Sequence, residues 1–170
     1  PTVDLLTELA RDIPNFGYVK EEAGNVIART RALLAAKPPI RRVFSARGGF
    51  GWLYELRLGS EGLITERAIY ADVLTRIWQL HKSGSDPAAM RDAYSKFVLM
   101  INLGTTHPGD LRGYQLYLWK KRGVFQTMVS RHYGQGGSIP ASPIYSEQEL
   151  SNEEIAEIEY RFEALAPYQK

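Results

Sequence analysis

The spacing of apolar residues changes along the chain from helical to strand-like and back, and this succession limits the folds that are open to it. Apolar residues recur at helical spacing in five segments, which are residues 3–12, 20–36, 65–82, 87–103 and 151–165. Aromatic and β-branched residues dominate four others, which are Arg41–Arg47, Trp52–Leu58, Tyr114–Trp119 and Val124–Ser130, and these are predicted as strands. A short glycine-containing connection joins the two strands of each pair, so both pairs are predicted as hairpins. Because β–α–β crossovers are absent from this order, we expect an α+β fold in which a small antiparallel sheet from two hairpins packs with about five helices.

Capping and breaking residues support the predicted helix boundaries. Thr2 can cap the first helix, and Pro38–Pro39 ends the second because a residue before proline avoids the helical conformation. Asp86–Pro87 places a side-chain acceptor before a proline at the first helical position. Ser151 and Glu154 have the spacing of a capping box, which predicts the start of the last helix.

A chain of 170 residues with 44% hydrophobic residues can bury a sizeable core. We therefore expect a single domain over residues 1–170, with a glycine- and proline-rich linker at 134–145 before the C-terminal helix. The longest uncharged and mostly apolar run is Phe97–Leu103, which is far shorter than the ~20 residues that a membrane span needs. No transmembrane segment is expected.

The sequence has few of the residues that commonly form disulfides, bind metals or act as nucleophiles, and those present are scattered along the chain. The absence of cysteine excludes disulfides, thiolate metal sites and cysteine nucleophiles. The three histidines, His81, His107 and His132, lack the spacing of a metal site, and no Gly-x-Ser-x-Gly elbow occurs. We therefore expect no metal and no cofactor, and we assign no catalytic residue.

Charge is segregated along the chain. Residues 29–57 carry seven basic residues and one acidic residue, a net charge of +6, and residues 112–131 carry five basic residues and no acidic residue. The three other stretches, 1–28, 58–111 and 132–170, are net acidic. Two basic blocks in an otherwise acidic chain suit an anionic partner, although each could also be an ordinary solvated surface.

Residues 112–131 interleave aromatic rings with cations. Proteins that hold single-stranded nucleic acid without reading its sequence stack bases on aromatic rings and neutralise phosphates with cations. The same composition suits an anionic lipid surface or a self-association face, and a purely structural interpretation places alternate aromatic residues in the core. The predicted anion contacts are Arg41, Arg42, Arg47, Arg112, Lys120, Lys121, Arg122 and Arg131, and the predicted aromatic contacts are Tyr114, Tyr117 and Trp119.

The middle of the chain resembles the core of rhabdovirus matrix proteins. The resemblance is carried by Leu53–Leu58, Tyr70–Val73, Trp78 and Tyr94–Leu99 up to Gly104, about 55 residues in all. In that family a strand leads into a Tyr-Ser-Asp-Val helix that ends near a tryptophan, and an apolar segment with tyrosine and lysine follows. The resemblance implies a virion-associated structural protein that bridges a nucleocapsid to a membrane and to copies of itself. The acidic N-terminus and the lack of a Pro-Pro-x-Tyr motif depart from the family pattern.

Taken together, these features predict a non-enzymatic structural or assembly protein that forms a homo-oligomer and binds an anionic partner, which is a nucleic acid, a nucleocapsid or a membrane surface. Acidic residues 147–163 of one copy could pair with basic residues of a neighbour. A nucleic-acid-binding coat protein or nucleoprotein is one alternative. A small enzyme that acts on a phosphorylated or nucleic-acid substrate, with His107 or His132 as its acid–base group, is the other. Localisation stays unknown, and a soluble cytoplasmic or virion-associated protein is expected.

Overall fold

The fold is helix-rich and of mixed α+β class, as predicted. The structure, a computed structural model, describes residues 1–106, 113–132 and 144–169. The chain divides into two compact units, Pro1–Tyr94 and Ser95–Lys170. The single-domain organisation therefore stays a prediction. Residues 134–143 of the predicted linker lie outside the described residues, and its last two residues begin a strand.

The first unit contains, in chain order, α1 (Val3–Asp12), β1 (Tyr18–Lys20), α2 (Val26–Ala35), β2 (Arg42–Phe44), α3 (Trp52–Leu58) and α4 (Ala71–Ser83). Helix α5 (Pro87–Ile101) crosses the boundary between the units, and the second unit continues with α6 (Leu103–Thr106), α7 (Tyr114–Lys121), β3 (Val129–His132), β4 (Ile144–Glu147) and α8 (Asn152–Glu163). Short 3₁₀ helices occur at Arg47–Gly49, Ala68–Tyr70 and Ala166–Tyr168.

The predicted helix caps are confirmed. The Thr2 hydroxyl oxygen accepts a hydrogen bond from the Leu5 N–H at 3.1 Å, at the start of α1. Ser151 and Glu154 exchange the two hydrogen bonds of a capping box at the start of α8. Since each cap satisfies N–H groups that a helix leaves without a partner, these side chains fix where the helices begin.

The first predicted hairpin is wrong, because Trp52–Leu58 is helix α3. Trp52 and Leu56 are four residues apart and both are buried, whereas Tyr54 on the intervening turn is exposed. A short apolar run such as this one fits the period of a helix as well as that of a strand. Here its buried residues Trp52 and Leu56 lie on one face of a helix. Strand β2 pairs instead with β1, in parallel and with α2 as the connection, so the expectation that β–α–β crossovers are absent is also wrong.

The second predicted hairpin is also wrong, because Tyr114–Trp119 belongs to helix α7. Tyr114 and Leu118, again four residues apart, are the buried residues of this helix. An antiparallel sheet does exist in this unit, but β3 pairs with β4, a segment that the sequence analysis placed partly in a linker. The predicted strand Val124–Ser130 therefore contributes only its last residues to a strand.

The parallel pair β1–β2 lies against the core of the first unit. Val19 and Val43 are register partners, and both are buried. Their neighbours Tyr18 and Arg42, also register partners, are exposed because side chains alternate across a strand. The buried cluster that contains the two valines also includes Leu6, Ala10, Leu33 and Ile40.

Gly48 marks a turn that a side chain would disturb, and we expect Gly48→Ala to destabilise the protein. Its φ of +62° is in the left-handed region, and a Cβ would lie 2.6 Å from Arg67 Nε. Gly24 is the matched control, since its φ is +52° and no atom lies within 4 Å of its Cβ position. Both alanines carry a backbone cost of roughly 1–2 kcal/mol. Only Gly48→Ala also displaces the Arg67 side chain, and because that side chain is buried and lies over the Phe50 ring we expect an added cost of about 1 kcal/mol.

Urea unfolding of the two variants measures the difference. Equal losses of unfolding free energy in Gly48→Ala and Gly24→Ala would show that the Arg67 side chain moves away without cost.

Candidate anion-binding sites

Three cations line a cleft of about 560 Å³ in the first unit. Lys37 follows the end of α2, and Arg41 and Arg42 lead into β2. The remaining lining residues are Tyr18, Pro38, Pro39 and Ile40. Two of the predicted anion contacts are thus brought together, and two residues that were not predicted, Tyr18 and Lys37, join them.

Backbone contacts hold the segment before β2 against β1. The Gly17 carbonyl oxygen accepts hydrogen bonds from the N–H groups of Arg41, at 2.8 Å, and Arg42, at 3.2 Å. Gly17 has a φ of +117°, and a Cβ there would lie 3.2 Å from both Arg41 Cγ and the Pro39 carbonyl oxygen. Glycine therefore permits both the backbone conformation and the close approach of the two segments.

Arg41 and Tyr18 form a cation–aromatic pair at the cleft. The Arg41 guanidinium lies 6.0 Å from the centroid of the Tyr18 ring and also donates a hydrogen bond to the Pro14 carbonyl oxygen. The Tyr18 side chain is 60% exposed. An exposed ring beside a held guanidinium provides a surface for a base and a donor for a phosphate.

One carboxylate partly neutralises the cleft. Glu61 accepts hydrogen bonds from Lys37 Nζ at 2.8 Å and Arg42 Nη1 at 2.7 Å, and from the Val43 N–H at 3.3 Å. Burial raises the pKa of Glu61, but the hydrogen bonds from Lys37 and Val43 and the two positive charges outweigh burial and lower it below the usual range. Three cations and one carboxylate leave the group with a net positive charge.

A second group of cations lies at the C-terminal end of α7, in the second unit. Lys120 is exposed, Lys121 donates a hydrogen bond to Glu159 of α8, and Arg122 is the C-cap residue. Cations are favoured at this end of a helix, where the carbonyl groups point outward. The Trp119 and Phe125 rings lie 5.7 Å apart beside these cations. Val124 and Phe125 are 56% and 43% exposed, so apolar and cationic groups share this surface.

The other predicted site residues are less closely grouped. Tyr114 is 3% exposed and its ring packs against Gly104, so it offers no exposed face to a base. Arg47 is exposed at the 3₁₀ turn after β2 and is not among the residues that line the cleft. Arg131 is exposed on β3, and Arg112 lies outside the described residues.

Sequence reasoning missed Tyr18 because the residue is 24 positions from its register partner Arg42. A parallel pair of three-residue strands leaves no local pattern in the sequence. Lys37 does lie in the basic block 29–57, and its place between a helix and two prolines is the only signal that could have singled it out.

Of the three histidines, only His81 has a side chain among the described residues. His81 lies on α4 with its ring 5.8 Å from that of Trp78, and burial, together with the charge of Lys82, lowers its pKa. His107 and the His132 side chain lie outside the described part of the chain, so the acid–base hypothesis stays a prediction. Among the described residues, no three His, Cys, Asp or Glu side chains form a group that could hold a metal ion.

Comparisons of the chain with protein-family models, with curated proteins and with solved structures found no match. The resemblance to rhabdovirus matrix proteins therefore stays a prediction, and the strand that it implies at Leu53–Leu58 is part of helix α3. Across residues 1–106, 113–132 and 144–169, no helix is both long enough and apolar enough to cross a membrane.

The pKa of Tyr117 on α7 is raised, and part of the increase comes from its contact with Glu159 of α8. Burial of the hydroxyl and its hydrogen bond to the Glu159 carboxylate raise the pKa of Tyr117 to about 12. In Glu159→Gln we expect this pKa to fall towards 10.0, the ordinary value for tyrosine, because the negative charge is removed while burial remains. The pKa of Tyr117 is measured from the difference in tyrosinate absorbance that Tyr117→Phe causes, once in the wild-type protein and once in Glu159→Gln.

The same shift makes stability depend on pH. Because the folded pKa is raised, the contribution of Tyr117 is complete below pH 10 and is lost as the pH rises through about 12. An unchanged Tyr117 pKa in Glu159→Gln would mean that burial alone causes the shift.

Proposed function

We propose that this chain is a non-enzymatic assembly protein that binds single-stranded nucleic acid through the cleft of the first unit and associates with copies of itself. The observation that carries the proposal is the grouping of Lys37, Arg41 and Arg42 around an exposed Tyr18 ring, with Glu61 as their one acidic neighbour among the described residues. Cations supply sequence-independent affinity for phosphates, and the ring supplies a stacking surface for a base.

Each cleft residue has a distinct role in this proposal. Arg41, held by the Pro14 carbonyl oxygen and the Tyr18 ring, presents the remaining donors of its guanidinium to a phosphate. Arg42 and Lys37 share Glu61, so a phosphate competes with that carboxylate for their donors. Tyr18 stacks with a base, and ring stacking tolerates every base because each one has a π face.

Replacing Arg41 and Arg42 with alanine should weaken binding of a fluorescein-labelled oligouridylate. We expect the log–log dependence of affinity on salt to flatten by about 1.4, because each phosphate of a single strand that a cation neutralises adds roughly 0.7 to the slope. Fluorescence anisotropy over a range of salt concentrations measures both the affinity and the slope.

The matched control is Arg11→Ala/Arg76→Ala, which removes two exposed cations of the same unit that do not line the cleft. Thermal unfolding of both double variants separates loss of binding from loss of folding. In a further pair, Tyr18→Ala should weaken binding while Tyr18→Phe retains it. Equal affinity and salt slope for the two arginine double variants would reject the cleft as the binding site.

An anionic membrane surface is the second candidate partner, and the exposure of Val124 and Phe125 beside the cations of α7 favours it. Apolar side chains next to cations can enter the interface of an anionic bilayer while the cations meet the head groups. The triple variant Lys120→Ala/Lys121→Ala/Arg122→Ala and the single variant Phe125→Ser should both reduce co-sedimentation with phosphatidylserine-containing vesicles. If only the triple variant does so, the surface binds by charge without apolar insertion.

Self-association is proposed to use exposed carboxylates in the acidic segment 147–163. Glu147, Glu149, Glu153 and Glu163 are exposed, while Glu157 pairs with Arg161 within α8. Charged groups that are already paired within the molecule have less to gain from a neighbouring copy. Tyr160, on the same helix, is 72% exposed and adds an apolar contact to this surface.

Light scattering tests this part of the proposal. The average mass at low salt, about 50 mM, should exceed the monomer and fall at about 500 mM, where screening shortens the range of charge interactions. Glu149→Gln/Glu163→Gln should lower the mass more than Glu8→Gln/Asp12→Asn, which removes the same charge from α1. A monomer of 19.2 kDa at both salts would contradict self-association.

A further inference from the structure

Two arginines and a tyrosine form another cationic group in the first unit, on helices α2 and α3. Arg31 of α2 donates a hydrogen bond from Nη2 to the Tyr54 hydroxyl oxygen at 2.9 Å. The guanidinium carbon of Arg57 lies 5.8 Å from the centroid of the Tyr54 ring. All three residues are exposed, Tyr54 by 41%. We call these three residues the α2–α3 group.

The helical conformation of α3 brings Tyr54 and Arg57 together. Residues three apart lie on the same side of a helix, whereas in a strand they would point to opposite faces. The strand that the sequence predicted here would therefore have separated them. Helix α2 packs beside α3, since a Cβ at Gly59 would lie 3.7 Å from Leu34 Cδ1. From this neighbouring helix Arg31 reaches the Tyr54 hydroxyl.

The α2–α3 group carries two positive charges and several hydrogen-bond donors without an acidic partner. Among the described residues, no carboxylate pairs with Arg31 or Arg57, and none accepts the proton of the Tyr54 hydroxyl. The adjacent Glu55 is 3% exposed, and a Cβ at Gly51 would lie 2.5 Å from its Oε1, so its carboxylate lies at the start of α3. Guanidinium groups donate and never accept, so an oxyanion is the ligand that suits these donors.

The α2–α3 group and the cleft are close enough for one strand of nucleic acid to reach both. Lys37 of the cleft follows Arg31 by six residues, and the first four of these steps lie in α2. Four helical steps rise about 6 Å and two further steps span about 7.6 Å, so the two Cα atoms are at most roughly 14 Å apart. Phosphates of a stacked strand repeat every ~3.4 Å, so about four nucleotides cover this separation.

We infer that the α2–α3 group binds phosphates of a second stretch of the single strand that the cleft is proposed to bind. Arg31 and Arg57 neutralise phosphates, and the Tyr54 hydroxyl, which accepts from Arg31, donates to a phosphate oxygen. The cleft has a similar combination, with Arg41 beside the exposed ring of Tyr18. The identity of the anion rests on the proposed function, and the inference adds two phosphate contacts to those of the cleft.

Replacing both arginines of the α2–α3 group tests the inference by fluorescence anisotropy with a labelled oligouridylate of about 12 nucleotides, which is long enough to span both sites. We expect Arg31→Ala/Arg57→Ala to weaken binding and to flatten the log–log salt slope by about 1.4, roughly 0.7 for each phosphate contact. Arg31→Lys/Arg57→Lys should retain the slope, since lysine also neutralises a phosphate. The control Arg11→Ala/Arg76→Ala removes the same charge elsewhere in the unit and should change the slope little. Thermal unfolding verifies that each variant is folded.

The results separate this inference from the proposed function. If Arg31→Ala/Arg57→Ala matches the control while Arg41→Ala/Arg42→Ala weakens binding, the cleft binds the strand and the inference is wrong. If both double variants match the control, nucleic-acid binding by the cleft is rejected as well. Reduced co-sedimentation of Arg31→Ala/Arg57→Ala with phosphatidylserine-containing vesicles, together with unchanged oligouridylate binding, would assign the α2–α3 group to a membrane surface and overturn the inference.

Discussion

The pairing of β1 with β2 is the interaction on which the organisation of the first unit depends. It buries Val19 and Val43 side by side in the core, and by alternation it places Tyr18 and Arg42 on the exposed side. A shift by one residue would exchange these two sets, so the buried valines also determine which residues face solvent. The position of Tyr18 and Arg42 at the cleft is thus a consequence of packing on the opposite face of a pair of three-residue strands.

In the second unit, one carboxylate has a comparable structural role. Glu159 of α8 accepts hydrogen bonds from both Tyr117 and Lys121 of α7, and Lys121 is the main reason that its pKa is lowered. The interaction uses one cation of the three that end α7, so this helix is attached to α8 while Lys120 remains exposed. Lys121 therefore attaches α7 to α8, and the adjacent Lys120 carries an exposed charge.

The sequence predicted what local chemistry determines. Thr2 and the Ser151–Glu154 capping box gave correct helix starts, since a cap depends on residues within one turn. The strands were predicted less well, because Trp52–Leu58 and Tyr114–Trp119 fit both periods and only tertiary burial made them helices. Arg41 and Arg42 are consecutive in the sequence, so their grouping was predictable. Their juxtaposition with Tyr18 was not, since a parallel pairing joins distant segments without a local signal.

Glu61 belongs to two surfaces at once, because it binds Lys37 and Arg42 at the cleft and also borders a second pocket of the first unit, of about 400 Å³, which Phe44, Trp52 and Trp78 help to line. Thermodynamic linkage follows from that shared position. If the cleft binds phosphate as proposed, a molecule in the second pocket that moves this carboxylate would change the affinity of the cleft by some factor, and occupancy of the cleft would change the affinity of that pocket by the same factor. A single side chain would then make two binding equilibria reciprocal within one compact unit.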